Sequence, residues 1–209
     1  MLRKIFLPLI SITLLFQSFI FGQNNQLPTY SDATAYEVYS AVLSFPEAAP
    51  PSKSKNFVIR RETIRDSGAL IDGETAPTRT CLRPDAESAK IIGTAVDDYV
   101  KVNQTKWLPE EKFNLETPYK LVDSKTIISI INPFTDKENW KEFYKQYPDS
   151  SGFVDLSAVG FNADKSVAVV SKGRWCGSLC GEGRYYVLQK KDGKWIPLKW
   201  EGEYCDWVS

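Results

Sequence analysis

Gly152 to Trp200 reads GFVDLSAVGFNADKSVAVVSKGRWCGSLCGEGRYYVLQKKDGKWIPLKW. Val167–Val170 is an unbroken apolar run, which suits a central strand buried on both faces. Tyr185, Tyr186, Val187 and Leu188 form a second run, of aromatic and aliphatic side chains that pack well on a pleated surface. Between the two lies CGSLCGEG, Cys176 to Gly183, with the composition of a tight hairpin end. Asp192-Gly193 then separates two strand-like segments by two residues. That pair predicts a type I′ hairpin turn, in which both central residues take positive φ. Asn162–Lys165 has turn composition and divides Phe153–Phe161 from Ser166–Lys172. Pro197 has no N–H to give a ladder, so its strand is expected at a sheet edge. The stretch therefore reads as an antiparallel meander.

Upstream the pattern is mixed. Ser31 or Asp32 can cap a helix through Phe45, with Ala35, Val38, Tyr39, Val42 and Leu43 on one stripe. Phe57–Ile64 predicts a strand, and Asp66–Thr80 a long loop. Pro84 fits the first turn of a second helix, with Ile91, Ile92, Ala95, Val96, Tyr99 and Val100 at helical spacing. Phe113–Glu116, Tyr119–Val122 and Ile127–Ile131 read as strands, the last the strongest. Asp136–Tyr147 predicts a third helix with Trp140, Phe143, Tyr144 and Tyr147 on one face. The fold class is α+β: an antiparallel sheet of about four to six strands, with two or three helices packed on one face.

The chain has 209 residues, a length for one domain. Residues 1–22 have the form of a secretory signal peptide: Arg3 and Lys4, an apolar run from Ile5 to Phe21, and the small Gly22. Residues 23–209 form the single α+β domain, with no later span long and apolar enough to cross a bilayer. The expected location is periplasmic or extracellular. Lys+Arg and Asp+Glu are 26 each, a balance that argues against nucleic acid as a partner. There is no histidine. That excludes Ser-His-Asp and Cys-His nucleophile systems and every His-containing metal site. No metal or other cofactor is expected.

Cys81, Cys176, Cys180 and Cys205 are an even set in a chain expected to leave the cytosol, and two disulfides follow. The leading pairing is Cys176–Cys180 with Cys81–Cys205. A rival comes from register: counting outward from Asp192-Gly193 sets Cys180 opposite Cys205. Cys176 and Cys180 have C-x₃-C spacing, not the C-x-x-C of redox motifs, and zinc would require all four thiols reduced. Gly177, Gly181 and Gly183 lack the Lys-Ser/Thr ending of a phosphate loop.

Two groups of residues are candidates for binding. Glu182, flanked by Arg174 and Arg184, can hold a ligand or form surface ion pairs. Trp175, Tyr185 and Tyr186 belong to a dense aromatic group that either covers the core or offers a face to a partner. Strand alternation sends Tyr185 and Tyr186 to opposite faces. Asp97-Asp98 and Glu110-Glu111 are adjacent in sequence and so point apart, which makes neither a catalytic dyad. Asn103-Gln104-Thr105 matches the N-glycosylation sequon.

The run YPDSSGFVDLSAVGFNADKSVAVV, followed by CGSLCGEGRYYVLQKKDGKW, resembles a group of uncharacterised secreted bacterial proteins. They share an "S-x-VGFN … CG-x-LCG-x-G … L-x-K-x-x-G-x-W" string, matched here over about Trp140 to Trp195. The resemblance implies a bacterial, exported protein and carries no activity. It makes the sequon irrelevant. The functional expectation is a non-enzymatic domain that binds an envelope protein or glycan. A carboxylate-dependent hydrolase, which needs two converging carboxyl groups, is the alternative. Thiol–disulfide redox chemistry is a third reading.

Overall fold

The computed structural model describes residues 26–45, 55–64, 82–132, 136–204 and 206–208. The segment expected to be a signal peptide, the loop expected at Asp66–Thr80, and Cys81 and Cys205 lie outside the described residues. Among the described residues no helix is long and apolar enough to cross a membrane.

The elements run β1 (Thr29–Tyr30), α1 (Ala33–Ser44), β2 (Phe57–Arg60), β3 (Leu82–Pro84), α2 (Ala86–Val102), β4 (Leu108–Pro109), β5 (Tyr119–Val122), α3 (Ser124–Ile131) and α4 (Lys137–Gln146). The C-terminal part adds β6 (Phe153–Leu156), β7 (Gly160–Phe161), β8 (Val167–Gly177), β9 (Cys180–Lys191), β10 (Lys194–Pro197), β11 (Gly202–Tyr204) and β12 (Trp207–Val208). The α+β class holds. An eight-stranded sheet is ordered β10-β9-β8-β6-β2-β5, with β7 beside β8 and β12 beside β9. The meander β8–β9–β10 is antiparallel, as its turns require. Asp192 and Gly193 have φ of 50° and 75°, and Lys191 faces Lys194 across the turn. β10, which contains Pro197, is the edge.

The sheet departs from the antiparallel expectation at its other end. β2 pairs parallel with both β5 and β6, so the sheet is mixed. The helices lie on both faces, not one. Val58, Val122, Phe153 and Trp175 pack with Ile127 and Ile131 of α3 and Trp140 and Phe143 of α4. The alternate residues Ile59, Leu121, Val154 and Leu156 pack with Ala35, Val38, Tyr39, Val42 and Leu43 of α1. α2 covers Val167, Val169 and Val187 on the α3–α4 side. The physical reason is the pattern of β2 and β6, buried at successive residues, which only a doubly covered sheet can accommodate.

Ile127–Ile131 is helix, not strand. The residues form α3, where Ile127 and Ile131, four apart, both face the core. The short apolar run had no period long enough to separate the two states. Phe113–Glu116 forms no strand. Instead the Phe113 ring meets Tyr36, Tyr39 and Tyr119 at 5.4, 5.5 and 5.2 Å between centroids. α2 begins two residues after Pro84, which ends β3: Asp85 is its cap, and its carboxylate accepts the Ser88 amide at 2.8 Å. Asn103 is fully buried. Its amide group donates to the Tyr99 and Ala158 carbonyls and accepts the Ala158 amide, so it cannot carry a glycan.

Candidate functional site

Register decides which candidate side chains meet. In the β8–β9 hairpin Lys172 faces Arg184, Arg174 faces Glu182, and Val170 faces Tyr186. Directly opposed residues share a face, and so do residues two apart. Arg174, Glu182, Arg184 and Tyr186 therefore converge with Lys172 on the α1 side of the sheet. β12 runs beside β9, with Trp207 opposite Gly183 and Val208 opposite Glu182. Its segment adds Asp206 and Val208 as a wall. The result is a cavity of about 130 Å³ lined by polar and charged side chains.

Its electrostatics follow from the lining. Arg174 Nε contacts Glu182 Oε1 at 2.9 Å, and Arg184 Nε contacts Asp206 Oδ2 at 3.1 Å. Each contact engages the Nε edge of a guanidinium, a group with five N–H donors. Lys172 is buried on the cavity floor. Among the described residues the lining carries three cations, Lys172, Arg174 and Arg184, and two carboxylates, Glu182 and Asp206. Tyr186, its ring 6.2 Å from that of Phe45 at the C-cap of α1, closes the end nearest the core.

The disulfide Cys176–Cys180 spans the hairpin end, with Cα atoms 5.0 Å apart. This excludes the Cys180–Cys205 rival. The irregularity between Trp175 and Gly177 fits the strands to that short closure. Tyr144 of α4 donates its hydroxyl to the Cys176 carbonyl at 2.9 Å and anchors the hairpin end from the opposite side. Leu179 projects from the tip, 85% exposed.

Trp175 and Tyr185 do not join the cavity. Trp175 is buried under α4, where its indole donates to Asp155 Oδ2 at 2.8 Å. Tyr185 turns toward α2 and meets Tyr99 edge-on at 6.0 Å. Trp195 is buried too, with its indole donating to Glu37 of α1. The exposed aromatic face expected of a glycan binder is thus covered by helices among the described residues. Large exposed apolar side chains are scattered over α2, α3, the hairpin tip, β10 and β12.

Two features escaped sequence reading. Lys172 is two residues before Arg174, so alternation along β8 already assigned it to the Arg174 face. Asp206 had no such signal, because β12 leaves the hairpin register of β10. The second feature is a buried ion pair on the α3–α4 side: Arg60 Nε meets Asp155 Oδ1 at 2.8 Å. Burial pushes the Asp155 carboxyl above its ordinary range, against the opposing pull of Arg60 and Trp175; Glu62 adds to the rise. Glu62 itself accepts the Ser124 amide at 2.9 Å and the Ser124 hydroxyl, at the start of α3. Among the described residues no three His, Cys, Asp or Glu side chains gather as a metal site would require. No family model, curated protein or solved structure matches this chain.

Proposed function

We propose that this chain is an exported, non-enzymatic binding domain of the bacterial envelope or its surroundings, and that its ligand seats in the Lys172–Arg174–Arg184 cavity. One observation carries the reading. Four of the six side chains singled out from sequence, Arg174, Glu182, Arg184 and Tyr186, meet around one concavity at a disulfide-closed hairpin end. Polar groups converging in a small cavity on rigid strands are what orienting a ligand requires. The absence of histidine supports a binding role over catalysis.

The test has two parts. Intact mass of the exported protein should give a chain beginning near Gln23; retention of Met1 to Gly22 would refute export by cleavage. A library of envelope-derived small molecules and glycans, followed by amide NMR, should shift residues 172–174 and 182–186 together. A library whose hits all map elsewhere would remove the cavity from consideration.

The hydrolase alternative has one observation in its favour, the raised Asp155 carboxyl with Glu62 in its field. Asp155, however, is 3% exposed at its side chain and faces Arg60 and Trp175. A hydrolytic activity abolished by both Asp155→Asn and Glu62→Gln, with folding intact, would establish it.

A further inference from the structure

We propose that the Cys176–Cys180 disulfide is a redox latch on the cavity. Oxidised, it holds the outer end of β9, which carries one wall. Reduced by a dithiol, it frees that end and takes the wall apart while the rest of the fold stands. The proposal rests on the cavity being the binding site and goes further by naming what controls it.

The two strands of the hairpin are not held alike at their outer end. β8 is clamped as far as Cys176. β6 pairs with it from Lys172 to Trp175, and the Trp175 indole donates to Asp155. Tyr144 donates to the Cys176 carbonyl at 2.9 Å, and Gly152 lies so close that a Cβ there would run into the Trp175 carbonyl. Cys180–Gly183 of β9 lack such support. On the α3–α4 side Gly173 opposes Gly183 and Trp175 opposes Gly181. Paired side chains, the unit that stabilises a sheet, are missing there, and glycine inside a strand weakens it through entropy. On the other side Arg174 meets Glu182, whose side chain is 52% exposed, and an ion pair so exposed contributes little. Among the described residues, the outer flank of β9 at this level carries the two-residue β12 alone. The disulfide is the strong tie of this end.

The wall depends on that tie. Glu182, Gly183, Asp206 and Val208 line the cavity. The first two belong to the outer end of β9, and the others to the segment whose strand pairs with it. Release of Cys180–Gly183 parts Glu182 from Arg174 and leaves β12 without its partner, while Lys172 and Tyr186 stay in paired strands. Proteins open locally in such units without unfolding as a whole. The latch is also within reach, since Leu179 is 85% exposed and Cys180 is exposed beside it. Exposed disulfides are the ones that thiols exchange with most readily. The step is balanced. One thiolate of the dithiol attacks a sulfur of the pair, and the second displaces it from the mixed disulfide. The products are two cysteine thiols and the dithiol's own disulfide, two electrons and two protons having passed to the protein.

The experiment uses the full exported chain and has two readouts, neither of which needs a ligand. The folded protein is treated with dithiothreitol, then alkylated and mapped by peptide mass. Cys176 and Cys180 should be labelled together while the near-UV circular dichroism of the core persists, and they should pair again when oxidised glutathione is supplied. Labelling only on global unfolding would make the disulfide a fixed staple and overturn the proposal. Hydrogen exchange at amides and at arginine Nε, followed by NMR, then compares the oxidised chain with Cys176→Ser combined with Cys180→Ser. Exchange at residues 180–183 and at Arg174 Nε is expected to rise about tenfold or more in the variant, with 167–171 and 186–190 unchanged. No change at 180–183, or a rise running through both strands, would overturn the latch. Failure of either readout leaves the cavity reading standing. Library hits that all map away from the cavity would remove the cavity and, with it, the latch's function.

Discussion

Asp155 and Glu37 are carboxylates with opposite behaviour, and the contrast can be measured. Glu37 accepts Lys190 Nζ at 2.7 Å and the Trp195 indole at 3.1 Å, which tie α1 to the β9–β10 hairpin. The Lys190 hydrogen bond, with Trp195 assisting, holds its carboxyl below the ordinary range. Its contribution to stability is therefore present above the ordinary carboxylate range and lost as pH falls through the lowered folded value. Asp155 is raised by burial, so its sign is reversed. The fold favours its neutral form, and its contribution declines as pH rises from the ordinary value toward the raised one. Urea melts across the acidic range should show the wild-type advantage over Glu37→Gln growing with pH, and that over Asp155→Asn shrinking. Parallel trends would contradict the assignment. At neutral pH Asp155→Ala should cost about 3–5 kcal/mol, because Arg60 is left buried without its partner. Joint replacement, Arg60→Met with Asp155→Leu, should recover most of that loss. Nothing near Asp155 in sequence announces this role. In FVDL an acid reads as the outward position of an alternating strand, and its partner Arg60 belongs to a strand far upstream.

The hairpin and its neighbours were the legible elements. Asp192-Gly193 fixed a turn by local backbone sterics, and Pro197 an edge by its missing donor; neither depends on distant chain. α3 was not legible, because eight residues give an isoleucine-rich run too little length to display its period. Two predictions belong to single elements. Cys176→Ser with Cys180→Ser should leave the fold intact and cost about 2 kcal/mol at most, since the crosslink closes a very short loop. A larger loss in denaturant melts would mean that the disulfide supports more than the hairpin end. Gly93 lies in the interior of α2, and a Cβ placed there meets nothing within 4 Å. Gly93→Ala should therefore raise stability by about 0.5–1 kcal/mol, by removing conformational freedom from the unfolded chain. A lowered melting temperature would show that the helix needs the glycine for another reason.

On the scale of the molecule, what remained hidden was the parallel part of the sheet. Turn chemistry reports neighbours in sequence, whereas β2 takes its partners from β5 and β6, which follow it at long range. The second disulfide expected from the sequence belongs to the same scale. β3 and β11 pair with Leu82 opposite Tyr204, and these are the chain neighbours of Cys81 and Cys205. Non-reducing peptide mapping should recover a Cys81–Cys205 peptide, and its loss should destabilise the protein more than loss of the short link does, by about 4–5 kcal/mol. Free thiols at these positions would refute it. The position of β2 also dictates the order in which the protein can be completed. Phe57, Val58 and Ile59 leave the ribosome early, yet both strands that flank them are made much later. Until β6 is synthesised, a short, strongly apolar ribbon has an open edge on which any passing strand can template. Nascent chains stopped before Phe153 should thus be the species that chaperones must shield and that self-associate when they do not, while chains extended past Lys191 can close the sheet.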